Sequence, residues 1–145
     1  MNTIILKSRF ALAIVALIAG TLAGSAGMAT AGEIKVNLSG DQEVPPVQTP
    51  ASGSGTITVD DDKSVKGKIT TSGIKANAAH IHEGAPGKTG PDIIPLKKTS
   101  DSEWSFASDA KLTDAQYDAY KAGNLYINVH SDAHKGGEIR GQLKR

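Results

Sequence analysis

Along most of the chain apolar and polar residues alternate one for one, the period of strands that bury one face. In EIKVNL this places Ile34, Val36 and Leu38 on a common side. GTITVDDDKSVKGKITTSGI predicts a hairpin whose turn, residues 60–64, separates Ile57 and Val59 from Val65 and Ile69. IIPL and EWSFAS are short strand candidates, with Trp104 and Phe106 on one face as core aromatics. NLYINVH, SDAHKGG and EIRGQLK then predict strand, loop and strand. There Leu125, Ile127 and Val129 point inward with Ile139 and Leu143. Tyr126, Asn128, His130, Glu138, Arg140 and Gln142 are expected on the outward face.

Two stretches break the alternation. SGDQEVPPVQTPASGSG is rich in Pro, Gly and Ser and predicts a surface loop open to motion. LTDAQYDAYKAGN predicts the single helix, because Thr113 and Gln116 have the spacing of a capping box and Gly123 stands where a C′ glycine ends a helix. Tyr117 and Tyr120 share a packing face of it. Many short strands with one short helix make the expected fold all-β, an antiparallel Greek-key β-sandwich. No internal repeat is evident.

The N-terminus is of another kind. MNTIILKSRF carries Lys7 and Arg9 ahead of the apolar ALAIVALIAGTLAGSAG, and MATAGE gives Ala29 and Ala31 the small-residue spacing of a cleavage site. Residues 1–31 are therefore expected to be a signal peptide and residues 32–145 a single mature domain, periplasmic or secreted. A retained signal anchor is disfavoured by the Gly-rich end of the apolar run. The remaining length is enough to bury one core. The chain has no Cys, so in an oxidising compartment stability must come from that core, to which a bound metal could add. Without Lys7 and Arg9, 14 basic residues face 15 acidic ones. That near-neutral balance argues against nucleic acid as a partner, and contact with a membrane is expected only through the signal peptide before cleavage.

The stretch AAHIHEGAPGKTGP holds two conflicting signals. Gly87, Lys88 and Thr89 match the end of a phosphate-binding loop. The leading glycine of that motif would fall on His82, however, and Gly90-Pro91 opposes the helix that must follow. A Gly/Pro-rich connection between strands explains these residues.

The histidines point elsewhere. The chain has four, and they fall in two segments: His80 and His82 in HIH, His130 and His134 in HSDAH. On a strand, residues two apart point the same way with Cα atoms roughly 6.6 Å apart, so both rings of HIH can meet one ion while Ile81 enters the core. His130 completes the set if the two strands are neighbours. His134 lies in a Gly-containing loop where helical spacing does not apply. A fourth ligand, a partner that orients a ligand and a solvent-exposed residue are all open for it. The competing reading, exposed polar positions that happen to be histidine, leaves the confinement to two motifs unexplained.

Imidazole donors without thiolate suit Cu(II) or Zn(II), and copper heads the divalent affinity order. Copper is the expected metal, and zinc, which accepts three histidines and a water, is the runner-up. Glu83, Asp92, Asp132 and Glu138 are nearby carboxylates able to ligate or orient an imidazole, although such residues are more often solvated. Arg140 would share a face with Glu138, as a surface ion pair of little energetic weight or as a cation that draws anions to a metal.

Together, HIHEGAPGKTGPDIIPL and LYINVHSDAHKGGEIRGQL resemble the CHRD domain, the module named for chordin and found alone in exported bacterial proteins. The resemblance runs from about residue 33 to 143. It implies a β-sandwich and an extracytoplasmic location but no settled enzymatic activity. Growth-factor binding by animal chordins involves Cys-rich modules absent here. HIH is also similar to the His-x-His copper ligands of copper-zinc superoxide dismutases, with His130 matching a later copper ligand. The disulfide and the zinc-binding loop of those enzymes have no counterpart. The expected function is copper binding through His80, His82, His130 and His134, for sequestration, delivery or redox chemistry. The alternatives are a copper-only dismutase-like enzyme and a metal-free adhesion module using sheet edges or residues 44–50.

Overall fold

The computed structural model describes residues 32–145; the signal-peptide expectation for residues 1–31 lies outside them. The first strand, β1 (Glu33–Ser39), buries Ile34, Val36 and Leu38 as the alternation requires. It pairs with β2 (Ser52–Val59), which pairs in turn with β3 (Val65–Ser72). The β2–β3 turn is closed by Asp60 N donating to Ser64 O at 3.0 Å and Lys63 N donating to Asp60 O at 2.8 Å, with Lys63 left-handed at φ 72°.

The rest of the chain supplies β4 (Ala76–Glu83), β5 (Asp92–Pro95), β6 (Lys97–Lys98), β7 (Glu103–Ser105), β8 (Leu125–Ser131) and β9 (Ile139–Gln142). All pairings are antiparallel, and the sheet order is β5-β4-β8-β9-β1-β2-β3-β7-β6. Only Leu96 separates the two edge strands in sequence. The sheet therefore curls back on itself, nearly closed, around one core. Into that core go Ile57, Ile69, Ile81, Trp104, Ile127, Ile139 and Leu143. Over the described residues the fold is all-β with a single short α-helix, as expected, and the non-sequential neighbours β4–β8, β9–β1 and β3–β7 give it Greek-key crossovers.

The helix, α1 (Asp114–Lys121), begins at the expected box: Gln116 N donates to Thr113 Oγ1 at 3.2 Å, and Thr113 N donates to Gln116 Oε1 at 2.9 Å. It ends at Gly123, left-handed at φ 77°. Tyr120 is buried and donates its hydroxyl proton to Gly32 O. No helix among the described residues is long and apolar enough to cross a membrane.

Two expectations are corrected. The predicted loop ends sooner than its composition suggests, because Ser52 to Gly55 are already strand, paired to β1 on one side and β3 on the other. Ladder bonds to two neighbours override weak strand propensity. More important for function, the outward face of β8 and β9 is not solvated: Tyr126, Asn128, Glu138 and Arg140 are all buried. Residues 40–51 cover part of it, with Thr49 Oγ1 donating to Glu138 at 2.6 Å and Asn128 Nδ2 donating to Glu43 at 3.5 Å. Residues 84–90 cover more, through bonds from Arg140 and Gln142.

Candidate metal centre

Strand β4 sets two donors. It sends Ala79 and Ile81 into the core and turns His80 and His82 to the other face, half-buried. On β8 the register sets Ala78 opposite His130, His80 opposite Asn128 and His82 opposite Tyr126, so His130 lies diagonal to His80 on a shared face. On the β5 side the pairing slips between Ile81 and His82, an irregularity of the kind that re-aims side chains next to sites.

The three rings converge. Their centroids are 5.7 Å apart for His80 and His82, 5.0 Å for His80 and His130, and 5.7 Å for His82 and His130. One ligating nitrogen from each lies within 4.8 Å of the other two. Hydrogen bonds select which nitrogens these are. His82 Nδ1 is 3.0 Å from the Gly90 carbonyl, and His130 Nδ1 is 3.0 Å from the Lys135 carbonyl. A carbonyl only accepts, so each Nδ1 carries a proton and each Nε2 keeps its lone pair. His80 Nδ1, 3.2 Å from His130 Nε2, then donates to it.

His82 Nε2 is buried and has no hydrogen-bond partner. Leaving such an atom unpaired costs about 1–3 kcal/mol, and coordination of a cation removes the deficit. Burial pushes the His82 and His130 rings below the usual imidazole value, overriding the opposite pull of the Gly90 and Lys135 carbonyls. Both therefore favour the neutral form that metals bind. The residues fit a cation with His82 Nε2 and His130 Nε2 as donors and His80 as the third imidazole, whose Nδ1 proton must leave or move to Nε2 when a cation replaces its bond to His130.

A family model for the CHRD domain matches residues 34–143. The chain belongs to the CHRD domain family. No curated protein and no solved structure matches it significantly. The match takes in both histidine segments, so the three-imidazole cluster is built within the CHRD domain itself.

His134 does not join the cluster. It sits in the β8–β9 loop, where its N–H donates to Ser131 Oγ and its carbonyl accepts from Ser131 N and Gly137 N. Four residues of separation give no proximity there, because the chain turns away from the strand direction after Ser131. The carboxylates stand outside the cluster too. Glu83 and Asp92 are exposed, Asp132 accepts from Asn77 Nδ2 at 2.7 Å, and Glu138 is buried under bonds from Ser131 and Thr49. Arg140 is not a surface ion pair. It is 2% exposed and donates to Lys88 O at 2.8 Å, Ala85 O at 3.2 Å and Gln142 Oε1 at 2.9 Å.

Three contributors escape the sequence reading. Tyr126 stacks on His82, with centroids 5.0 Å apart and planes 13° from parallel. Its position on the His130 face of β8 was the available signal. Gly90 and Lys135 act through backbone carbonyls, which side-chain identity does not advertise. Gly90 does leave one trace: a Cβ there would stand 1.7 Å from Glu83 O, so only glycine lets the loop return close enough to reach His82.

Proposed function

We propose that this CHRD domain is an exported metal-binding protein that holds one Cu(II) ion through His80, His82 and His130, for copper sequestration, delivery or redox chemistry outside the cytoplasm. The observation that carries this reading is the buried, unpartnered Nε2 of His82 beside two further imidazoles, with one ligating nitrogen of each ring in a common group. An all-nitrogen donor set without thiolate favours copper over the other divalent first-row ions, with zinc the nearest competitor. The N-terminal leader pattern supports a periplasmic or secreted location. His134 is no longer among the proposed donors.

Holding the ion is favoured over turnover by Arg140. A dismutase-like site gains from a cation free to draw in an anion, whereas this guanidinium is buried and bonded to the protein's own carbonyls. The test is a Cu(II) and Zn(II) titration of the purified protein near neutral pH, followed by an electron spin resonance spectrum. Saturable uptake of one copper, with a tetragonal spectrum and nitrogen couplings, is the expected result. Absence of saturable uptake overturns the proposal.

A further inference from the structure

Arg140 lies too far into the protein to meet solvent, yet two routes lead from it to His82. The first is a stack. Because β8 runs between β4 and β9, the Tyr126 ring is held between His82 on one strand and Arg140 on the other. The guanidinium carbon is 3.6 Å from the Tyr126 centroid, and the Tyr126 ring lies nearly parallel to the imidazole. The second route is the loop between β4 and β5. Arg140 takes the carbonyls of Ala85 and Lys88, and Gln142, itself bonded to Arg140, takes that of Gly84. The same loop ends at Gly90, whose N–H donates to the Tyr126 hydroxyl at 3.1 Å and whose carbonyl accepts from His82 Nδ1.

We infer that Arg140 is a positioning residue for the metal centre: through Tyr126 and the loop of residues 84–90 it fixes the Gly90 carbonyl, and thereby holds His82 as an Nε2 donor. This deepens the metal-binding reading and rests on it. A planar fork with parallel N–H donors serves two loop carbonyls and an aromatic face at once, which the point charge of a lysine does not. Partners that orient a metal-ligating histidine typically contribute 10- to 100-fold in metal affinity.

The test begins without metal. Nitrogen NMR of the His82 ring in the wild type is expected to show the Nδ1–H tautomer, and in Arg140→Met and Arg140→Lys a mixture of tautomers. Copper affinity is expected to fall about 10- to 100-fold in both variants, with altered nitrogen couplings, while far-ultraviolet circular dichroism stays that of a folded sheet. Millimolar guanidinium is expected to restore part of the affinity of Arg140→Met and none of that of Arg140→Lys. Tyr126→Phe keeps the stack and removes only the hydroxyl at Gly90, so it probes the same route should the Arg140 variants fail to fold; a shifted His82 tautomer is expected there too. A wild type that takes up no copper overturns the metal reading, whatever the tautomer. A wild type that binds copper alongside folded variants with unchanged tautomer, affinity and spectrum overturns the positioning role alone.

Discussion

Glu43 links the covering loop to the buried face of β8 and β9, and its environment sets a measurable pH dependence. Burial pushes its carboxyl up from the usual 4.5 to about 7, against the opposing pull of the Arg140 guanidinium and the hydrogen bond from Asn128. Its Oε1 has no partner at all, which is why solvation lost on folding outweighs the nearby cation. Between pH 4.5 and about 7 the folded protein holds a proton that the unfolded chain has released, so stability falls as pH rises through that window. At about 1.4 kcal/mol per pH unit, the full loss is about 3 kcal/mol. His82 and His130 act in the other direction. Their depressed folded values mean that stability grows as pH rises toward 6.5, so the raw pH profile of the wild type mixes two slopes.

Replacing Glu43 by Gln separates them. Glutamine imitates the protonated acid and does not titrate, so the variant and the wild type should be of similar stability near pH 4.5. The variant should gain on the wild type up to about pH 7 and hold that lead at pH 8, about 3 kcal/mol more stable. The assay is urea unfolding of metal-free protein in chelator at a series of pH values. With a slope of about 1.5 kcal/mol/M, the separation of midpoints at the alkaline end is about 2 M. Parallel profiles across the whole range would refute the reasoning, and would mean that Arg140 holds Glu43 as an ordinary ion pair.

Other outcomes follow from the same geometry. His80→Gln, His82→Gln and His130→Gln should each lower copper affinity by at least about 10-fold in a competitive titration, whereas His134→Ala should leave it nearly unchanged. Gly90→Ala should weaken copper binding without touching a ligand, since its Cβ would displace the loop from Glu83 O; equal affinity would show that the carbonyl is not needed. Thr113→Ala removes the helix cap and should cost about 1 kcal/mol in denaturant unfolding while leaving copper affinity intact.

The sequence reveals most of what the period-two pattern governs. Ile34, Val36, Leu38, Ile57, Ile69, Ile127 and Leu143 are where alternation places them, in the core. His80 and His82 share a face because they are two apart on β4, and the helix starts and ends at the residues that cap it. Alternation states which residues share a face. It is silent on what that face meets, and this is where the reading failed: Tyr126, Asn128 and Arg140 alternate with the core as solvent-facing residues do, yet residues 40–51 and 84–90 fold over them.

That second interior has a physical consequence for the site. A histidine on an open sheet face would have water for each ring nitrogen and a free choice of tautomer. Here the Nδ1 of His82 meets the Gly90 carbonyl of the covering loop, that of His130 meets the Lys135 carbonyl of the β8–β9 loop, and the Nε2 of His82 meets no partner. The tautomers of His82 and His130 are thereby set before a metal arrives, and the cost of dehydrating His82 Nε2 is borne by folding rather than by binding. The polar residues that look like ordinary surface in the sequence, Arg140, Gln142 and Tyr126, are thus tied to the loop that orients His82 within the three-imidazole group. Conversely, His134, close to His130 in sequence, stays outside it because its loop is tied back on Ser131 by its own backbone bonds.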